Sequence, residues 1–174
     1  MAEASPPGTA QPSGAGVPAG FEDALGSWPA AVTLLTIADG RDDIGTTVSA
    51  FCPVSVDPPL ILVSLISSSY PAEVLARLDA FAVTLLAASQ RALAGRFAAA
   101  GRPGARLLLA NVPHHRGPAS GALIPDGGLA AFECEVTTRI PAGDHLLVIS
   151  KVLTVPYQAE SGDPLIRFRG RYLR

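Results

Sequence analysis

The chain has 174 residues, of which 48% are hydrophobic and 16% charged, with a net charge of −2. That length fits one domain with a sizeable core, and the composition excludes general disorder. The slightly acidic balance argues against a chain whose main task is binding nucleic acid, which would carry a basic patch. No run reaches the ~18 apolar residues of a membrane span, and no secretory signal pattern is present, so no membrane partner and a cytoplasmic location are expected. The two cysteines, Cys52 and Cys134, sit in apolar, strand-like contexts. They are expected to be buried free thiols rather than a disulfide.

Residues 1–19 are small residues, proline, glycine and serine, with no large aliphatic beyond Val17. Nothing in them offsets the entropy of ordering, so a disordered N-terminal arm is expected, followed by a domain over 20–174. A short helix, Phe21 to Ser27, leads to Trp28. Ala31 to Ala38 is a β-rich run ending at Asp39-Gly40, a hairpin turn signal, with Gly45 to Phe51 as its antiparallel partner. After the prolines at 58 and 59, Pro59 to Ile66 reads as a buried strand.

Pro71 to Leu78 has helical spacing of Val74, Leu75 and Leu78, and Ala80 to Leu86 reads as the next strand. Ser89 is expected to cap a second helix, Gln90 to Ala100, which Gly101 and Pro103 end. Residues 101–128 read as a long loop, a kind of segment that is often functional. Leu129 to Ile140 and His145 to Val155 are strands around a turn at Pro141 to Asp144, and Pro164 to Phe168 is a last short strand. Six or seven strands, two or three short helices and tight turns predict a mainly β fold, an antiparallel split β-barrel of Greek-key type. No Gly-x-Gly-x-x-Gly follows a strand and no P-loop occurs.

The most informative stretch is Gly45 to Pro71, in which Ser67, Ser68 and Ser69 stand directly before Pro71 and Glu73. A helix start presents unsatisfied N–H groups and a positive dipole end, so a phosphate fits there with serine hydroxyls as added donors. Capping of the helix is the commoner use of such serines, and both readings stand at this point. His145, at a strand mouth after Gly143-Asp144, faces a ligand or is simply solvated. His114 and His115 have no neighbouring cysteine or carboxylate pair in the sequence, so no metal site is expected. Arg91 and Arg96 lie on the second helix as solvated cations or phosphate contacts. Tyr172, near Phe168, stacks on an aromatic ligand or closes the barrel.

The ordered set Trp28 to Thr36, GTTVSAFCPVSVDPPLILVSL, SSSYP, Phe81-Ala82-Val83, Arg96-Phe97-Ala98, Phe132-Glu133-Cys134, Gly143-Asp144-His145 and Pro164-Leu165 with Gly170 and Tyr172 resembles the flavin reductase family. These are the small reductase components of two-component flavin monooxygenases, with an FMN-binding split-barrel fold. The likeness covers residues 21–174, and Gly-Asp-His is its sharpest piece. It implies that Thr46, Thr47, Val48, Ser49 and Ala50 lie along the isoalloxazine ring. It also implies that Ser64, Leu65 and Ile66 line the flavin and that Ser67, Ser69 and Tyr70, around the helix start, hold its phosphate end. By the same resemblance Arg96 and Phe97 are phosphate- and ribityl-side contacts, His145 faces the nicotinamide, and Tyr172 lies near the flavin at a homodimer interface.

The activity so implied is NAD(P)H-dependent reduction of FMN or FAD, with the reduced flavin diffusing to a separate monooxygenase component. A flavin-binding carrier or sensor of the same fold is the alternative. Two departures stand out. Ala105-Arg106-Leu107 replaces the Lys-Phe pair often found after the second helix, and Ser150 replaces the usual strand glycine.

Overall fold

The computed structural model describes residues 16–41 and 43–173, so most of the expected N-terminal arm, residues 1–15, lies outside the described residues. Helix α1 (Phe21–Gly26) precedes β1 (Ala30–Ala31), β2 (Thr33–Ile37), β3 (Ile44–Val48), β4 (Phe51–Ser55) and β5 (Leu60–Ile66). Then come α2 (Tyr70–Leu75), β6 (Ala80–Leu85), a 3-10 turn over Ala88–Gln90, α3 (Arg91–Ala98), α4 (Ala105–Leu109), β7 (His114–Arg116) and β8 (Leu123–Pro125). The long hairpin β9 (Ala130–Ala142) and β10 (His145–Gln158) follows, and β11 (Ile166–Phe168) and β12 (Arg171–Tyr172) end the chain.

Seven strands form one antiparallel sheet in the order β3-β2-β6-β9-β10-β5-β4. This is the expected mainly β, split-barrel architecture. β9 and β10 form its spine, because β10 pairs with β9 along one edge and with β5 along the other. The expected Asp39-Gly40 turn joins β2 to β3, with Ile37 opposite Ile44. Asp39 Oδ1 accepts from the backbone N–H groups of Arg41 and Asp43, and Gly40 takes a φ of 83°. That is the side-chain-closed turn which aspartate followed by glycine favours.

The principal core lies inside the sheet and collects Leu35, Ile37, Val63, Phe81, Val83, Cys134 and Val148, with Val74 and Leu75 of α2 plugging one end. A second cluster holds α3 and α4 against the outside of β2 through Leu34, Leu86, Leu93, Phe97 and Leu109. Gly45 permits that contact. A Cβ there would stand 2.3 Å from Phe97 Cε1, so only glycine lets the ring lie against β3.

Several expectations are corrected. The run expected as one strand over Gly45 to Phe51 breaks at Ser49-Ala50, and Phe51–Ser55 is a separate strand, β4, on the far edge of the sheet. Pro53 hides it in the sequence, since proline within a strand is tolerated chiefly at an edge. β5 is not buried on both faces: Ile61, Val63 and Leu65 point into the core, while Leu62 and Ser64 are only half-buried.

Cys52, on edge strand β4, is exposed, against the expected burial; Cys134 is buried, and both thiols are free. Burial, with some help from the Glu133 charge, pushes the Cys134 thiol up to about 12, so it stays protonated and unreactive. The segment 101–128 is not all loop, because it carries α4 and the β7–β8 hairpin. Four short α-helices are therefore present among the described residues, where two or three were expected. Ser89 sits within the 3-10 turn instead of capping a helix, and Gln90 Oε1 accepts the Ala87 N–H there.

Ser150, at the position where the family resemblance calls for glycine, is fully buried and its hydroxyl has no hydrogen-bond partner. A buried hydroxyl without a partner costs about 1–3 kcal/mol. Ser150→Ala removes that cost at almost the same volume. It is expected to raise the melting temperature by about 2–12 °C, and a lowered value in a thermal melt would show that the hydroxyl is satisfied.

Candidate functional site

Where β3 ends and β4 begins, the seam of the sheet opens into a cleft of about 600 Å³. Thr46, Thr47, Val48, Ser49 and Ala50 form one side and Ser64, Leu65 and Ile66 the opposite one, with Ser69, His145 and Tyr172 at its margins. The structure thus gathers these expected residues from four separate segments into one cavity. β3 is an edge strand, so main-chain groups along its outer edge face the cleft without a strand partner. Two bonds flank the seam: within the β2–β3 pair the Thr33 hydroxyl donates to the Val48 carbonyl at 2.7 Å, and beside the β4–β5 pair the Ser64 N–H donates to the Ala50 carbonyl at 2.9 Å.

His145 opens β10 opposite Ile66 of β5, which aims it across the mouth of the cleft. Its Nδ1 is 2.7 Å from Asp144 Oδ1, leaving Nε2 as the free ring nitrogen. The imidazole holds the Asp144 carboxyl below the usual carboxylate range. The Ser67 N–H donates to the Asp144 carbonyl at 2.9 Å, so the serine segment and the turn carrying His145 are bonded to each other.

Ser69 is the N-cap of α2, its Oγ accepting from the Ala72 N–H at 3.4 Å. The capping reading therefore holds geometrically, yet the hydroxyl hydrogen stays available to donate into the cleft. Ser67 is exposed and lines neither this cleft nor the next.

Three other expected residues are placed elsewhere. The Phe97 ring is fully buried in the second cluster, so its part is packing against Gly45 and not a ribityl contact through the ring. Arg96 is exposed on α3 and lines neither cleft, although its neighbours Gly95 and Ala98 border the first. Tyr70 faces an adjoining cavity of about 560 Å³, which meets the first at Ser69.

Sequence reasoning passed over Arg167 and Gly170, which border the first cleft from the C-terminal strands, and Arg102, which lines the second. Arg102 Nε donates to the Gly45 carbonyl at 2.8 Å. The one available signal was the missing lysine after α3, which leaves an arginine as the nearest cation to replace it. Arg91, read as a solvated cation or a phosphate contact, lies over the Tyr172 ring at 5.9 Å from its centroid. Among the described residues no cluster of three or more His, Cys, Asp or Glu side chains could hold a metal ion.

Residues 25–174 match the family described as flavin reductase like domain. The chain belongs to the flavin reductase family. It is 34% identical over 155 residues to the NADH-dependent FMN reductase AsuE2 of Streptomyces nodosus subsp. asukaensis, a match spanning 87% of this chain and 82% of that one. With the reductase component of 4-hydroxyphenylacetate 3-monooxygenase from Thermus thermophilus it shares 32% identity, over 88% and 94% of the two chains. Its fold superimposes with a TM-score of 0.81 on the Streptomyces globisporus NADH:FAD oxidoreductase SgcE6 in complex with NAD and FAD fragments. That likeness covers 88% of this chain and 90% of the other at 28% identity.

Two buried carboxylates hold the flavin reductase domain's 101–128 segment to the barrel. Glu133 of β9 is fully buried; its Oε1 accepts from the Ser120 N–H, the Ser120 hydroxyl and the Ala119 N–H, and its Oε2 from the Thr154 hydroxyl. A Cβ at Gly117 would stand 2.1 Å from Oε1, so glycine is needed for this loop to close over the carboxylate. Asp43, also buried, accepts from Arg106 at 3.0 Å and Arg116 at 2.8 Å on Oδ2. Burial opposes ionisation at both sites, but the hydrogen bonds at Glu133 and the arginines at Asp43 outweigh it and hold both carboxyls below their ordinary values.

A carboxyl with a lowered folded-state pKa binds fewer protons folded than unfolded, so it stabilises the fold above its unfolded pKa of about 4. That stabilisation is lost as pH falls from there towards the folded value. Glu133→Gln keeps the acceptor for Ser120 and Ala119 but cannot titrate. Urea melts between pH 6 and pH 3 should show a shallower loss of stability for Glu133→Gln than for the parent, and parallel curves would count against this account.

Proposed function

We propose that the chain is an NAD(P)H:flavin oxidoreductase which reduces FMN or FAD and releases the reduced flavin to a separate flavin-dependent monooxygenase. The observation that carries this reading is the convergence of the Thr46–Ala50 seam, the Ser64–Ile66 strand end and His145 on one cleft in a flavin reductase fold. The residues suit a flavin: Val48 and Leu65 give apolar walls, while Thr46, Thr47, Ser49, Ser64 and Ser69 give a hydrogen-bonding rim. When bound, the flavin accepts the two electrons of the nicotinamide as a hydride, chemistry that belongs to the cofactors.

The chain's own work is placement and electrostatics. The walls stack and orient the two rings, since a reaction between bound partners gains most from correct approach. Unpaired N–H groups along the outer edge of β3 are placed to stabilise negative charge on the reduced ring system. His145, held through Nδ1 by Asp144, presents Nε2 to the nicotinamide side and orients it. It need not move a proton, because direct hydride transfer requires no protein acid.

The functional unit proposed is a homodimer. Leu25, Trp28, Val54 and Val56 are exposed apolar side chains, and Leu25 and Trp28 border a further hollow that shares Ser49, Ala50, Arg167 and Gly170 with the ring cleft. A second copy laid over this face would cover the apolar surface and wall the flavin from the open side. None of the described helices is long and apolar enough to cross a membrane. A reductase drawing on pyridine nucleotides fits the cytoplasm, the location proposed.

Purified protein with added FMN or FAD should oxidise NADH or NADPH, followed at 340 nm, at a rate that depends on the flavin. Flavin binding without such oxidation would turn the reading to a carrier or sensor. His145→Ala should slow reduction by about ten- to a hundredfold at saturating nicotinamide, with flavin affinity within about twofold of the parent. An unchanged rate would remove His145 from the site. Light scattering after size exclusion should give twice the 17.8 kDa chain mass, and Trp28→Glu should shift it towards the monomer.

A further inference from the structure

The second cleft has no part in the account of flavin reduction given so far. It measures about 560 Å³, inside the ~300–1,000 Å³ range of small-molecule sites. Its walls come from the β2–β3 turn (Arg41, Asp43), the first turn of α2 (Tyr70) and the loop after α3 (Arg102). It meets the ring cleft at Ser69, the one residue lining both.

We propose that this cleft binds the adenosine diphosphate half of a flavin adenine dinucleotide, so that the chain prefers FAD to FMN. This rests on the flavin reading of the ring cleft. A flavin whose ring lies along the Thr46–Ala50 seam with its phosphate at Ser69 is already at the entrance of the second cleft. Any further nucleotide on that phosphate passes directly into it.

The lining fits the chemistry of that half. Arg41 is exposed and Arg102 half-buried, and burial lowers the Arg102 pKa while leaving it a cation. Arg102 spends Nε on the Gly45 carbonyl and one terminal nitrogen on the Ala99 carbonyl at 3.3 Å, which holds the guanidinium still, with its other terminal nitrogen unengaged among the described residues. Two arginines at one cleft suit a pyrophosphate, to which guanidinium groups donate paired hydrogen bonds.

Asp39 and Asp43 also border the cleft, and the Asp43 charge is taken up by ion pairs with Arg106 and Arg116. Asp43 is 1% exposed and held by these two arginines. Tyr70, half exposed at the rim, offers a ring face on which a purine stacks. The nicotinamide cofactor also carries an adenylate. His145, the residue expected to face the nicotinamide, lines only the ring cleft, and the flavin phosphate is the group that Ser69 meets.

The test is equilibrium binding of FMN and FAD by flavin fluorescence, with ADP as competitor, for the parent and for Arg41→Glu and Tyr70→Ala. The Arg41 side chain makes no hydrogen bond within the fold among the described residues, so its replacement leaves the turn intact. FAD should bind about tenfold more tightly than FMN, and ADP should displace FAD without displacing FMN. Arg41→Glu should weaken FAD by about tenfold and leave FMN within about twofold; Tyr70→Ala should weaken FAD in the same direction. Equal affinity of the parent for the two flavins would overturn the proposal and leave the reductase reading standing. A raised KM for NADH in Arg41→Glu with unchanged FAD affinity would assign the cleft to the nicotinamide cofactor instead. Failure of both flavins to bind would defeat the reductase reading and this extension together.

Discussion

Two residues, Ser49 and Ala50, impose the shape of this protein. They join β3 to β4, and those strands lie at opposite edges of a seven-stranded sheet. Laid flat, seven strands would span roughly 29 Å at the usual strand spacing. The link from Val48 to Phe51 reaches at most about 11 Å. The sheet must therefore curl until its edges approach, and residues of β3 and of β5, the strand beside the far edge, come to line one cleft. The edges come close without pairing along their length, so a seam remains, and the first cleft is that seam. Barrel closure and the cleft thus have one cause.

Closure leaves the outside of β2 and β6 to be covered, and the segment after α3 does it. The contacts that hold this cover are partly polar. Glu133 gathers donors from the 117–122 turn, while Asp43 is gripped by Arg106 of α4 and Arg116 of β7. Such groups are costly to bury alone and favourable only when every partner is in place, so they specify one placement of the cover where apolar contact would allow several. The second cleft lies on this boundary, with one wall from the barrel and one from the cover.

Much of this was legible in the sequence, for identifiable reasons. Strands of the main sheet carry strong β patterns, and Asp39-Gly40 and Gly143-Asp144 are turns whose chemistry is local, so their positions are readable from single residues. The break at Ser49-Ala50 was not readable, because nothing nearby distinguishes a strand that bends to another edge from one that continues. α4 escaped because five residues carry too little periodicity to be separated from a loop flanked by proline and glycine. Among the site residues, those on the seam were found through their order along the chain. The burial of Phe97 was not readable, because a motif position says where a residue stands, not which way its ring turns. Arg102 and Arg167 were missed because an isolated arginine between turn residues looks like any solvated cation.

The bond between the Ser67 amide and the Asp144 carbonyl joins two parts of the site that lie far apart along the chain. One is the segment where a phosphate is expected, the other the turn from which His145 reaches across the cleft. They form a single mechanical unit, so a ligand that stills the serine segment also stills the support of the imidazole. A substitution that disturbs the Ser67 amide would therefore be felt at His145 as well.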